Sequence, residues 1–174
     1  MNGQVIVLAG PPAAGKTAVA GLLATDAGNP AVHLVTDQFY RSIRTGFVLP
    51  FLPEAARQNE VVIEAIVGTT TTFARGGYDV VVDGIIGPWS LDPFRALDLA
   101  VSYVVLRPDL ETTLARARGR VGELQNVDAI TGLHGAFCRL GELERHVVDS
   151  GGLDVGETVA EVRRVLAAGG HRLR

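Results

Sequence analysis

The chain has 174 residues, 47% of them hydrophobic and 20% charged, with a formal net charge of -3. That suits one globular domain over residues 1–174, and it is too apolar and too weakly charged for a disordered chain. The mildly acidic balance argues against a broad basic surface for nucleic acid, and no apolar run approaches the ~20 residues of a membrane-spanning helix.

The opening MNGQVIVLAG lacks a basic n-region, and its apolar stretch runs directly into a glycine-bearing loop, so no signal peptide is expected. Residues 4–9 read as a short buried strand. Gly10-Pro11-Pro12-Ala13-Ala14-Gly15-Lys16-Thr17 follows and matches G-x-x-x-x-G-K-[ST]. Val19, Ala20, Leu22 and Leu23 then recur at helical spacing. Gly10 and Gly15 permit backbone angles and approaches that a Cβ would block. Successive N–H groups can then turn inward as an anion nest, reinforced by the positive end of the helix dipole. Lys16 is the only lysine among 16 basic residues. A lysine kept in an arginine background marks a place where a compact ammonium is wanted. Lys16 would reach the β- and γ-phosphates of a nucleotide, and the Thr17 hydroxyl would ligate Mg²⁺.

A second strand is expected over 32–36, ending in Asp37, and a long helix over 53–74, stopped by Gly76-Gly77. Residues 79–83 read as a central strand ending in Asp83, with Gly84 behind it leaving room for a ligand. Asp92-Pro93 looks like an N-cap and first-turn proline of a short helix. A fourth strand covers 101–106, and a helix covers 109–118. Residues 128–143 are helical but broken by Gly132, Gly135 and Gly141. Cys138, the only cysteine, allows no intrachain disulfide and fits a reducing cytoplasm. Residues 146–149 form a fifth strand, and Val155, Val159, Val162, Val165 and Leu166 mark a C-terminal amphipathic helix. Alternating strands and helices imply an α/β fold with a parallel sheet covered on both faces. Ligands bind such sheets at the carboxyl ends of the strands, so Asp37 and Asp83 should face the crevice that holds Lys16.

The loop, the two strand-end aspartates and the segment Leu106-Arg107-Pro108-Asp109 … Leu114-Ala115-Arg116-Ala117-Arg118-Gly119-Arg120 resemble the small P-loop kinases. These include chloramphenicol phosphotransferase, gluconate and shikimate kinases, zeta-toxin kinases and nucleoside monophosphate kinases. The resemblance implies a three-layer fold with sheet order 2-3-1-4-5, a lid at about 119–140, and ATP with Mg²⁺. It implies that Arg116 packs on adenine, that Arg120 reaches the phosphates and assists catalysis, and that the turn at Ser150-Gly151-Gly152 wraps the adenine. It implies that Asp37 orients or deprotonates the attacking hydroxyl, and that Asp83 holds Mg²⁺ through water or contacts the acceptor. Read from the residues alone, Asp37 could instead cap a following helix over 38–44, Asp83 could close a strand in a turn, and Arg116 and Arg120 could form a solvated basic face. His134, alone in the lid, reads as a surface residue.

The stretch 38–60 faces the acceptor. Phe39, Tyr40, Phe47 and Phe51 make it unusually aromatic for a loop, which suggests a ligand wall or a small core beneath the loop. Arg41 and Arg44 could bind an anionic group, Gln58 and Asn59 could hydrogen-bond an acceptor, and Trp89 could line the same pocket. The clustered arginines that hold a second phosphate in nucleoside monophosphate kinases are missing, so a neutral or mixed hydroxylated small molecule is expected: an antibiotic, a sugar or a nucleoside. The sequence therefore reads as a cytoplasmic ATP:alcohol phosphotransferase, monomeric or homodimeric. A nucleotide kinase and a regulatory P-loop NTPase switch are the alternatives.

Overall fold

The computed structural model describes residues 1–119 and 126–173. Strand β1 (Val5–Ala9) leads through the glycine loop to helix α1 (Lys16–Thr25). Strand β2 (Ala31–Val35) passes directly into the short helix α2 (Thr36–Arg41). Thr36 therefore begins a helix rather than ending a strand. A 3-10 turn at Pro53–Ala55 opens the long helix α3 (Ala56–Arg75). That helix stops where Gly77 adopts φ 89 and the carbonyls of Ala74 and Phe73 accept from Gly77 and Tyr78. Strand β3 (Asp79–Gly84) and the four-residue helix α4 (Asp92–Arg95) follow. Leu91, not Asp92, holds the N-cap position of α4 and supplies no side-chain cap.

Strand β4 (Val101–Leu106) precedes α5 (Leu110–Arg118), where Asp109 is a true N-cap and accepts from the Thr112 amide. Helix α6 (Val127–Phe137) runs unbroken through Gly132 and Gly135. Its buried stripe of Ile130, His134 and Phe137 outweighs the ~1 kcal/mol cost of each interior glycine. Strand β5 is only Val147–Val148, and α7 (Val155–Ala167) follows behind an Asp154–Glu157 capping box.

All strand pairs in the five-stranded sheet are parallel, in the order β2-β3-β1-β4-β5, as the kinase resemblance implies. Alternation sorts the side chains into two cores. Val5, Val7, Val80 and Val82 pack against Val62, Ile63 and Ile66 of α3. Leu8, Val81 and Val104 pack against Val19, Ala20 and Leu23 of α1 and Val159 and Val162 of α7. Val80, Val81 and Val82 are all buried, as a central parallel strand with both faces covered requires. Beyond α7 the chain returns antiparallel to β4: Tyr103 donates to the His171 carbonyl at 2.8 Å and Leu173 to the Val101 carbonyl at 2.9 Å. This strap occupies the edge of β4 that the two-residue β5 leaves open.

Candidate active site

The register Ala9↔Gly84 and Val35↔Asp83 brings the loop after β1 and the ends of β2 and β3 to one rim of the sheet. Gly10 (φ 148) lies against the end of β4, and a Cβ there would sit 2.2 Å from the Leu106 carbonyl oxygen. Gly15 (φ 89) stands at the N-cap of α1 and, having no side chain, supplies no cap to the first N–H groups of this helix. Ala13 holds φ 58, a left-handed angle that costs an L-residue roughly 1–2 kcal/mol. Its methyl is buried against Leu114, Ala117 and Ile130, which ties the loop to α5 and α6. Pro11 turns its carbonyl inward and accepts from Lys16 Nζ at 2.8 Å. The lysine is thus folded over the loop and buried.

Thr17, in the first turn of α1, donates its hydroxyl to Asp83 Oδ1 at 3.2 Å. Asp83 is 3% exposed, so its carboxylate sits beneath the loop rather than in solvent. His33 of β2 donates from Nε2 to Asp83 Oδ2 at 2.5 Å. His33 carries no sequence signal of this role, because an isolated histidine in a short strand has no spacing pattern. Gly84 does not leave room for a ligand as expected: its vacancy is filled by Thr36, whose Oγ1 would lie 2.2 Å from an added Cβ.

Asp37 is exposed in the first turn of α2. Val35, not Asp37, holds the N-cap position, so the carboxylate is not a helix cap. Its charge, second to burial, raises the Tyr40 phenol above its ordinary pKa, which places the two side chains near each other. Arg41 and Arg44 are exposed close by in sequence. Phe39 and Ile43 turn toward α3 and, with Val61, Val62 and Ala65, line a cleft of about 470 Å³. Gln58 borders that cleft but its amide is committed: Oε1 accepts from the Val48 N–H at 2.8 Å and Nε2 donates to the Val48 carbonyl at 2.7 Å. Asn59 likewise donates to the Pro50 carbonyl. Both amides pin the loop between α2 and α3, on which Phe47, Leu49, Phe51 and Leu52 are exposed. Trp89 is 56% exposed and meets Phe137 of α6 edge to face at 5.6 Å.

On the other side, Arg116 donates to the Ser150 carbonyl at 3.2 Å, so α5 and the turn at 150–152 are joined. Gly151 donates its N–H to Asp149 Oδ1, and a Cβ there would crowd Asp149 and Asp109. Arg120 lies outside the described residues. His134 is not a surface residue: it is buried and donates from Nε2 to the Pro108 carbonyl at 2.9 Å, fastening α6 to the entry of α5. Arg107 adds a second fastening, to the Phe137 carbonyl at 2.9 Å and to Glu144.

A glycine cradle free of side-chain caps, a buried lysine at the helix start, and a threonine hydroxyl on a buried aspartate fit a Mg²⁺–nucleotide polyphosphate. Among the described residues, no helix is long and apolar enough to cross a membrane.

The family described as "Chloramphenicol phosphotransferase-like protein" matches residues 3–136. No curated protein sequence matches the chain. Among solved structures, a gluconokinase from Sinorhizobium meliloti 1021 superposes with a TM-score of 0.70 at 20% identity, covering 96% of this chain and 93% of that one. The tunicamycin resistance protein of Deinococcus radiodurans gives 0.70 at 17%, covering 94% and 95%. Shikimate kinase from Acinetobacter baumannii, in complex with shikimate, gives 0.66 at 17%, covering 96% and 94%. At these identities the structures establish the shared fold.

Proposed function

The chain belongs to the chloramphenicol phosphotransferase-like family, and from that membership we propose that it moves the γ-phosphoryl group of ATP to a hydroxyl of a small molecule. The observation that carries the proposal is the contact of Thr17 with the buried Asp83 beneath the Lys16 loop, with Asp37 exposed in the first turn of α2, two residues beyond the end of β2. Phosphoryl transfer asks a protein for alignment and charge neutralisation rather than for covalent chemistry. The loop N–H groups and Lys16 would hold the β- and γ-phosphates. Thr17 and, through water, Asp83 would hold Mg²⁺, which neutralises charge on the phosphate oxygens when bound. Asp37 accepts the proton of the acceptor hydroxyl as its oxygen bonds to phosphorus, and the bond to the β–γ bridging oxygen breaks, so that ADP leaves with the electron pair. Arg116, with the turn at Gly151, would hold the adenine, and Arg120 would add a phosphate contact. Tyr40, Arg41, Arg44 and Trp89 would border the acceptor, and Phe39 would wall the apolar cleft behind it. Gln58 supports this region by holding its loop. The acceptor we favour is neutral or mixed in charge.

Measuring ATP consumption across a panel of hydroxyl compounds tests this. Stimulation by a small alcohol-bearing molecule is expected; a clear preference for a nucleoside monophosphate would overturn the acceptor assignment.

A further inference from the structure

We infer that His33 is a positioning residue that sets the orientation of the Asp83 carboxylate for the metal. The inference rests on the reading that Thr17 and Asp83 hold Mg²⁺. His33 lies on β2 opposite Val81, and its side chain shares the sheet face of Asp83, two residues further along β3. It spans diagonally to Asp83 Oδ2 at 2.5 Å, while Thr17 occupies Oδ1 at 3.2 Å. Both oxygens of this carboxylate are therefore engaged by two different elements, α1 and β2. The carboxylate is nearly sealed, with 4% side-chain exposure against 21% for the histidine.

A buried carboxylate oxygen without a donor is costly and free to turn toward other partners. With His33 donating to Oδ2, the plane of the carboxylate is fixed and Oδ1 is presented to the Thr17 hydroxyl, the second group of the metal site. The opposite ring nitrogen, Nδ1, looks onto α1, where a Cβ on Gly21 would come within 3.9 Å. The imidazole is thus clamped between β3 and α1. It lies on the sheet face opposite Leu34, which packs on the same core as Phe39 and Tyr40, so it acts through Asp83 and not on substrate. Partners hydrogen-bonded to metal-ligating side chains tune metal affinity 10–100-fold in other proteins, and because Asp83 would reach the metal through water, His33 belongs at the low end of that range.

The test is calorimetric titration of ATP, in Mg²⁺ and in EDTA, into wild type, His33→Leu, His33→Gln, Asp83→Asn and His33→Leu/Asp83→Asn. For His33→Leu, affinity in EDTA should match wild type, because the loop and Lys16 are untouched, and affinity in Mg²⁺ should fall about tenfold. His33→Gln, which keeps an amide donor, should recover part of that loss. In the Asp83→Asn background, His33→Leu should add nothing. Wild-type Mg²⁺ dependence in both His33 variants overturns the inference, as does a full second loss in the Asp83→Asn background. A wild type that shows no Mg²⁺-dependent ATP affinity overturns instead the reading of the site on which the inference stands. Should His33→Leu fail to fold, His33→Ala takes its place: reduced Mg²⁺ dependence with unchanged EDTA affinity supports the role, and wild-type dependence removes it.

Discussion

Thr36 occupies the space that Gly84 leaves by having no side chain: an added Cβ would lie 2.2 Å from Thr36 Oγ1 and 2.6 Å from its Cγ2. The contact locks the start of α2, and with it Asp37, to the end of β3, where Asp83 sits. Gly84→Ala should therefore overpack the rim at a cost of about 1–3 kcal/mol and displace Asp37. A lowered melting temperature together with a disproportionate loss of transfer is expected. Adding Thr36→Ala removes the two tightest contacts and should restore part of both. A Gly84→Ala protein as stable and active as wild type would refute the coupling.

Asp37→Asn keeps the size of the side chain and removes its basicity. ATP affinity should be retained while transfer to the acceptor falls by orders of magnitude. Steady-state kinetics with a competent acceptor decide this, and activity within about threefold of wild type would show that Asp37 is not the base.

Gln58 makes two hydrogen bonds to the backbone of Val48, each contributing about 1 kcal/mol. Gln58→Ala should lower the melting temperature and accelerate proteolytic cleavage within residues 46–52. Cleavage at the wild-type rate would mean that the loop is held by something else.

Burial pushes His146 below its ordinary pKa. The Tyr103 carbonyl partly offsets this, while His171, Arg145 and Arg95 add to it. His171, which meets His146 edge to face at 5.5 Å, is lowered by burial and by Arg164, against Glu161. His146 Nδ1–H donates to the Tyr103 carbonyl and Nε2 accepts from Arg145, so the folded protein holds the neutral ring. With both folded-state pKa values depressed, the unfolded chain binds more protons below about pH 6.5. Stability should be constant above that pH and decline as the pH falls toward the folded-state values. Denaturant midpoints between pH 8 and pH 5 measure this. His146→Gln should flatten the slope, and a wild type equally stable at pH 5 and pH 8 would contradict the assignment.

The core of this arrangement was legible in the residues because it is local. Strand, glycine loop and helix are contiguous, and β4 is a short apolar run whose bounds, 101–106, the structure reproduces. What escaped depends on tertiary contact. Thr36 joins a helix because its side chain fills the Gly84 vacancy across the sheet. The glycines of α6 are carried by Ile130 and Phe137 packing on the body. His33 is informative only once β2 lies beside β3, and Gln58 appears available until Val48 folds onto it. The Asp154–Glu157 capping box is a local signal, an aspartate three residues ahead of a glutamate, that the amphipathic spacing of α7 alone does not reveal.

The central claim is that the Lys16 loop binds the triphosphate of Mg²⁺·ATP. Titration of wild type and Lys16→Ala with ATP in Mg²⁺, alongside thermal unfolding of both, tests it most directly. The account predicts saturable binding by wild type and at least a hundredfold weaker binding by a Lys16→Ala protein that remains folded. Equal affinity in the two proteins, or no affinity in wild type, would contradict it.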